Sequence, residues 1–243
     1  MDGGSKEIKR SPDNDISLSI SIPFYNEAPN VLAVLEDHVA VLDGAKLSFE
    51  IVAVNNGSSD ATGDLIESMH RKDGRIIPVP ILQNQGYGFG ILQGLGQCRG
   101  KVLGYTWGDG QVLAADLLRV YEALMAKQAH LAKAWRIERH DGLYRLIQTK
   151  CYSIVFALLF GRGIRDPNGC PKLFIRSAFD RIAPASNDWL LDPEIMVKAR
   201  RLHYEIAQVP VVFHRRKNAR SKVNHFTAIG FFIELLKIRL GMR

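Results

Sequence analysis

The feature that most restricts the fold of this chain is a rhythm. Over its first half, short β-rich apolar runs alternate with amphipathic helical patterns, and each run breaks into polar loop residues. Leu18 to Ile22 reads as a strand, and Glu27 opens a helical pattern carrying Val31, Leu32, Leu35, Val39 and Leu42. Phe49 to Val54 is a second strand, followed by a helix bearing Leu65, Ile66 and Met69 that Ser59 or Asp60 can cap. Ile76 to Leu82 is a third strand, Gly86 to Leu95 a glycine-rich helix, and Val102 to Trp107 a fourth strand. Such alternation specifies βαβ units on a mostly parallel sheet with right-handed crossovers. Ligands of open sheets bind beyond the carboxyl ends of the strands. Three polar strand ends, Pro23 to Glu27, Asn55 to Asp60 and Gly108 to Gln111, are therefore expected to converge on one cleft.

After Gln111 the rhythm changes. Ala114 to Lys127 is helical, Leu131 to Trp135 is a strand, and Leu143 to Phe160 is a long, mostly apolar helix. The loop Gly161 to Cys170 leads to a short strand, Lys172 to Ile175, and a turn of helix, Ser177 to Ile182. A helix from Asp192 to Arg201 and a strand from Ile206 to Phe213 follow. The chain then runs through the charged stretch His214 to Lys222 into a final amphipathic helix. Residues 1–16 read as a disordered polar arm, 17–223 as one folded unit and 224–243 as the C-terminal helix.

With 243 residues, 47% hydrophobic and 23% charged, the chain has ordinary globular composition. Its net charge of +7 favours anionic partners such as nucleotides or phospholipid headgroups. Three cysteines, Cys98, Cys151 and Cys170, fit neither a disulfide framework nor a zinc site, so a reducing, cytoplasmic location is expected. No run of 18 uncharged apolar residues forms a membrane span. The glycines of Gly86 to Gly90 do not spell a dinucleotide fingerprint, and no phosphate-binding P-loop occurs. Nucleic acid is not an expected partner, because the basic residues lack the interleaved aromatics of a stacking platform.

Four groups of residues could carry chemistry. Asp109 lies between two glycines straight after a strand, where its carboxylate either helps hold Mg²⁺ or Mn²⁺ on a diphosphate or simply closes a turn. Glu27, with Asn55, Asn56, Ser58, Ser59 and Asp60, either meets a sugar or base or serves helix starts and turns. Arg136, Arg139 and Arg145 around Asp141, then Lys172, then His214, Arg215, Arg216, Lys217, Arg220 and Lys222, either grip phosphate or form a solvated face. Asp188 and Asp192 either face the cleft or only cap a helix.

In this order the pieces SIPFYNE (from Ser21), NNGSSD (from Asn55), NQGYGFGILQG (from Asn84), WGDGQ (from Trp107), NGCPKLF (from Asn168), LDPEI (from Leu191) and RSKV (from Arg220) resemble the family 2 glycosyltransferases. The branch they are most similar to is that of dolichol-phosphate mannosyltransferase and the bacterial polyprenyl-phosphate enzymes. The resemblance spans Leu18 to about Lys222. It implies a GT-A type α/β fold, with residues 17–115 as the nucleotide-binding half and 116–223 as the acceptor-binding half. It also implies an inverting transfer of sugar from a nucleoside diphosphate sugar to a lipid phosphate. By the same resemblance, Pro23, Tyr25, Glu27, Asn56 and Ser58 line the nucleoside pocket, with Trp107 and Gly108 beside the donor. Asp109 and Gln111 match positions that hold the metal, and Arg136 and Arg145 match positions that engage the acceptor phosphate. Lys172, Arg216 and Lys222 belong to parts that close over the phosphates.

The chain departs from the family pattern at two points. Asn55 and Asn56 stand where the family has two aspartates, and Trp107 stands where it has the first aspartate of its metal motif. Two other functions stay open: a soluble transferase acting on a small-molecule hydroxyl, and a nucleotide-sugar-binding protein without catalysis. A hydroxyl acceptor needs a base, for which Asp188, Asp192 and Asp166 are candidates. The final helix can lie on the cytoplasmic membrane surface, pack on the body or form a homodimer contact.

Overall fold

The computed structural model describes residues 12–13, 15–139 and 143–214. The charged stretch from Arg215 to Lys222 and the final amphipathic helix lie outside the described residues. A seven-stranded sheet is built from β1 (Leu18–Phe24), β2 (Phe49–Asn56), β3 (Ile76–Ile81), β4 (Val102–Tyr105), β5 (Leu131–Arg139), β6 (Lys172–Ile175) and β7 (Ile206–Phe213), in the order β3-β2-β1-β4-β6-β5-β7. β1 pairs in parallel with β2 and β4, β2 with β3, and β5 with β7. β6 alone runs antiparallel to its neighbours β4 and β5. Both proposed halves of the chain thus share one mostly parallel α/β sheet.

Helices α1 (Ala28–Gly44), α2 (Thr62–Lys72) and α4 (Ala114–Ala126) supply one apolar core, together with Leu18, Ile20, Ile22 and Phe24 of β1. Helices α3 (Tyr87–Gln97), α5 (Leu143–Phe160), α6 (Arg176–Ile182) and α7 (Leu191–Arg201) supply the other. The two-residue period of β2 shows the division plainly, since Ile51 and Ala53 enter the first core while Val52 and Val54 enter the second. On β1 the opposite face carries Ser19 and Ser21, both fully buried, and then Pro23. There α3 comes so close that a Cβ at Gly94 would lie 2.0 Å from Ser21 Oγ. Small residues on the strand and glycines on the helix are two halves of one contact.

Several element ends differ from expectation. β5 extends four residues further, to Arg139, because β7 pairs with it along its length across a bulge between Arg136 and Glu138. β4 stops at Tyr105, so Trp107 belongs to the loop. α7 starts at Leu191 with Leu190 as N-cap, which places Asp192 inside its first turn rather than at the cap. The end of the expected arm is anchored: Asp13 N–H donates to Arg99 O at 3.0 Å, and Ile16 O accepts from Lys101 at 2.9 Å.

His38 on α1 is buried, its Nδ1 2.7 Å from Val34 O and its Nε2 without a partner. Burial holds its pKa below the ordinary value despite the Val34 carbonyl and Asp37. The unfolded chain therefore takes up a proton near the ordinary pKa of about 6.5, before the folded protein does. This stabilisation is complete above that pH and is lost as pH falls through the lowered folded value. The urea midpoint should therefore drop between pH 7 and pH 5 by more in the wild type than in His38→Phe. Parallel pH dependences of the two would refute this account.

Candidate active site

The loops after β1 and β2 are bound to each other. Asn26 adopts the left-handed region, φ 52°. Its N–H donates to Ser58 Oγ at 3.0 Å, and its Oδ1 accepts from Ser59 N at 2.8 Å. Glu27 N–H donates to Thr62 Oγ1 at 3.0 Å, and the Asp60 carboxylate accepts from Ala28 N at 3.1 Å and from Thr62 N at 3.0 Å. Asp60 therefore links the two loops as well as bracing the start of α2. Glu27 is buried, its Oε2 accepting from Asn30 Nδ2 at 2.6 Å. Pro23, near the end of β1, and Tyr25, just past it, are half-buried on the same wall.

Asn56 is buried and donates from Nδ2 to Gly86 O at 3.2 Å, while its Oδ1 has no protein partner. That donation gives the amide a reason, because a carboxylate here would set two acceptors against each other. The approach also needs Gly90, where a Cβ would lie 2.6 Å from Asn56 Nδ2.

The loop after β4 closes over the end of β1. A Cβ at Gly108 would lie 2.4 Å from the Phe24 ring and 2.9 Å from Pro23 O, so glycine is required for this contact. Asp109 is half-buried and its Oδ1 accepts the Gln111 N–H at 3.0 Å, closing a turn at Gly110 (φ 70°). Gln111 is tied to the end of β7: its Nε2 donates to His214 O at 2.9 Å, and His214 N–H donates to Gln111 O at 3.0 Å. His214, the last described residue, is therefore tied to this loop.

Behind the loop lies a buried polar web centred on Asp192. Its Oδ1 accepts from Tyr105 OH at 2.6 Å and from the ammonium of Lys172, and its Oδ2 accepts from Tyr87 OH at 2.9 Å. Trp107 Nε1 donates to Tyr87 OH at 3.0 Å, and Lys172 Nζ also donates to Gly169 O at 2.8 Å. Burial, reinforced by the negative charge of Asp192, raises the pKa of both phenols. Tyr87 stacks on Trp189 at 4.5 Å between centroids, and Trp189 is 41% exposed. Asp192 and Lys172 thus occupy the interior beneath the cleft, which corrects the expectation that each faces a ligand. Asp192 is held by three donors and is not placed as a base. Asp188 is half-buried and its Oδ1 accepts the Leu190 N–H at 2.9 Å, bracing the start of α7.

Arg136 is bound to Asp166 through Nε and Nη2, each at 2.6 Å, and its main-chain N–H reaches the same carboxylate at 3.1 Å. Although burial opposes ionisation, Arg136 holds this carboxyl well below the usual carboxylate range. The guanidinium carbon lies 5.8 Å from the Trp107 ring and 5.4 Å from the Phe213 ring. Arg136 is therefore a paired, oriented cation beside Trp107. Arg145 lies in the first turns of α5, its side chain outside the described set, and Arg216 and Lys222 lie outside the described residues altogether.

Residues 19–183 match the family described as Glycosyl transferase family 2. The chain belongs to this family. A dolichyl-phosphate beta-glucosyltransferase of Dictyostelium discoideum is 29% identical over 223 residues, covering 83% of this chain and 68% of that protein. The Saccharomyces cerevisiae enzyme of the same name is 26% identical over 229 residues, with coverage of 83% and 68%. A dodecaprenyl-phosphate galacturonate synthase of Rhizobium johnstonii is 24% identical over 234 residues, covering 96% of this chain and 69% of that protein. Among solved structures, glucosyl-3-phosphoglycerate synthase from Mycobacterium tuberculosis, crystallised with Mn²⁺, UDP-glucose and phosphoglyceric acid, superposes with a TM-score of 0.73. Its identity is 16%, and the match covers 93% of this chain and 80% of that one. The fold is thus the GT-A type of this glycosyltransferase family.

The donor set limits what metal this family member can hold. Among the described residues no three His, Cys, Asp or Glu side chains form a metal-binding group. At the Asp109 turn the oxygens that could hold a metal are the Asp109 carboxylate and the amide oxygen of Gln111, whose nitrogen is turned to His214. Two oxygens suit Mg²⁺ or Mn²⁺ that shares its remaining positions with diphosphate and water, since Mg²⁺ is commonly held by one or two carboxylates plus substrate phosphates. They do not make a cage for a resident ion.

Tyr87, Tyr105 and Trp189 carry no sequence expectation of a place in this web. For Tyr87 a signal exists, since glycines on both sides announce a close backbone approach; the other two carry none. The Asp192 web predicts a large stability effect. Removing one partner of a buried ion pair typically costs about 3–5 kcal/mol. Asp192→Ala, read by urea unfolding at pH 7, should lose stability in that range, and a loss under about 1 kcal/mol would contradict the anchoring role.

Proposed function

We propose that this glycosyltransferase moves a sugar from a nucleoside diphosphate sugar to the phosphate of a polyprenyl lipid. The observation that carries the reading is the commitment of the buried carboxylates. Asp166 is clamped by Arg136, and Asp192 is held by two phenols and an ammonium. Of the three acids available to deprotonate a hydroxyl acceptor, only Asp188 remains half-exposed. A phosphate monoester is already anionic and needs no base. Its oxygen attacks the anomeric carbon while the bond to the diphosphate oxygen breaks. The nucleoside diphosphate leaves with the electron pair, the configuration inverts, and no proton moves. The relatives named for dolichyl- and dodecaprenyl-phosphate support this acceptor class.

In this reading the loops bearing Pro23, Tyr25, Glu27, Asn56 and Ser58 hold the nucleoside, and the unpartnered Oδ1 of Asn56 accepts an N–H of the base. Asp109 and Gln111 would hold a divalent cation, which would supply neutralisation of charge on the leaving group. The Mn²⁺, Mg²⁺ and UDP named with the solved relatives support such use. Arg136 and Arg145 take the acceptor phosphate, and Arg216 and Lys222 close over the phosphates. No helix among the described residues is long and apolar enough to cross a membrane. Ile147, Ile154 and Leu158, at 51%, 60% and 79% exposure, recur on one face of α5 beside the exposed Lys150. We assign this face to a bilayer surface, where the lipid acceptor resides.

Two measurements test the chemistry. Asp109→Ala should reduce transfer in Mn²⁺ by about 100-fold and abolish metal-dependent donor binding by calorimetry. Unchanged binding and turnover would remove Asp109 from the metal site. Asp188→Asn should keep kcat on a short-chain polyprenyl phosphate within about threefold of wild type. A loss of about 100-fold or more, the size of a general-base contribution, would instead favour a hydroxyl acceptor.

A further inference from the structure

Lys133, on β5, is fully buried and paired in register with Lys172 of β6 on one side and Gln208 of β7 on the other. A buried lysine is rare unless its charge is used. The Nζ of Lys133 donates to Ala134 O at 2.6 Å, Arg165 O at 2.9 Å and Asp166 O at 2.8 Å. Three protons of an ammonium meet three main-chain carbonyls, two of them on consecutive residues of the loop before β6. At the second, Asp166, the backbone enters the left-handed region, φ 43°. The loop folds tightly over the ammonium: a Cβ at Gly169 would lie 3.0 Å from Lys133 Nζ and 2.1 Å from Ala134 O. Asp166, pinned in this way, clamps Arg136.

The charges decide what the arrangement is for. Arg136 is balanced by Asp166, and Lys172 by Asp192. Among the described residues Lys133 is the cation of this cluster with no carboxylate partner, since its donors all end on carbonyls. We propose that Lys133 is a positioning residue for the acceptor phosphate: it fixes the Arg165–Asp166 backbone, so that Arg136 is presented in one orientation, and it leaves the buried cluster one positive charge in excess for the anion. This rests on the phosphate-acceptor reading given above and assigns it a residue that touches neither substrate.

The same geometry makes the device sensitive to pH. Burial pushes the Lys133 ammonium down to about 7, Lys172 and Arg136 push it further, and Asp166 and Asp192 oppose the shift. Loss of its proton leaves two donors for three carbonyls and cancels the excess charge. Acceptor binding should therefore weaken as pH rises through this region. The acceptor's own second ionisation, near pH 6, is complete by then and cannot imitate the trend.

The experiment uses the full chain, with farnesyl phosphate as acceptor and the preferred nucleotide sugar as donor. Acceptor and donor KM are measured at pH 7 and pH 9 for wild type and Lys133→Met. In the wild type the acceptor KM should rise about tenfold over this interval while the donor KM stays within about twofold. In Lys133→Met it should already be raised about tenfold at pH 7 and be flat with pH. An acceptor KM in the wild type that is flat from pH 7 to 9 overturns the proposal without any variant, so it remains testable should Lys133→Met not fold. An equal rise of both KM values in the variant overturns it as well, because that marks a general structural defect. Transfer to a hydroxyl acceptor but never to a phosphate would overturn the acceptor reading and this inference together. Transfer to phosphate with indifferent Lys133→Met kinetics would overturn this inference alone.

Discussion

A single buried carboxylate joins elements that the chain visits far apart in sequence. Asp192 from α7 is gripped by Tyr87 from α3, Tyr105 from β4 and Lys172 from β6. Each partner, lying beneath the cleft, leads to a loop that lines it. Tyr87 continues to the indole of Trp107, Tyr105 ends the strand that leads into the Asp109 turn, and Lys172 reaches back to Gly169 in the loop that carries Asp166. In a low-dielectric interior such a web is favourable only when every member is satisfied. Its position is therefore fixed closely, and the loops above it inherit that precision. A surface ion pair, screened and mobile, could not set a cleft in this way.

The web depends in turn on how near α3 lies to the rest of the molecule. Gly86 and Gly88 abut the loop of Ser186 to Asp188, where a Cβ at Gly88 would lie 2.2 Å from Ser186 O. Gly90 admits the Asn56 side chain, and Gly94 admits Ser21. A short helix thus gives up side chains on more than one side so that its backbone can be approached by the end of β2, by the loop before α7 and by β1. Glycine disfavours helix formation by roughly 1 kcal/mol per residue relative to alanine. Here that cost is offset by tertiary contacts that no larger residue permits, and Tyr87 is delivered to Asp192 as a result.

These relations explain what could be read in the sequence and what could not. The strand–helix rhythm of the first half was legible because burial on both faces of β2 and β4 writes itself as apolar runs, because β1 alternates apolar residues with serines, and because glycines and polar residues mark the strand ends. The family pieces likewise picked out the Asp109 turn and the two loops after β1 and β2 that bind each other. The antiparallel direction of β6 was not legible, since four residues, Lys172 to Ile175, carry no record of direction. Nor was the fate of Asp192: an acid in the first turn of a helix looks the same whether it braces the helix or turns inward to a lysine twenty positions earlier. Arg136 and Asp166 are separated by a whole helix, so their pairing is a property of topology. Lys133 reads as an ordinary strand lysine until the loop above it is seen.

The indole at position 107 connects these points to the chemistry. A carboxylate there would put a second negative charge at the edge of the diphosphate site, and the usual answer to such charge is a tightly held divalent ion. Trp107 removes that charge. Its Nε1 is turned to Tyr87, its ring meets Phe213 edge-on at 5.5 Å, and the Arg136 guanidinium lies within cation–π range of both rings. The position that the family resemblance would give to a metal ligand is here a wall for an arginine. The balance of the cleft shifts accordingly, from carboxylates that need a cation towards fixed cations that need an anion. The amides at Asn55 and Asn56 shift it in the same direction, replacing two further carboxylates of the family pattern. All three positions are thus uncharged where the family pattern carries a carboxylate, and at each the side chain present makes a contact a carboxylate could not make or does not need: Trp107 Nε1 donates to Tyr87 OH, Asn56 Nδ2 donates to Gly86 O, and Asn55 Oδ1 accepts from Ser58 N.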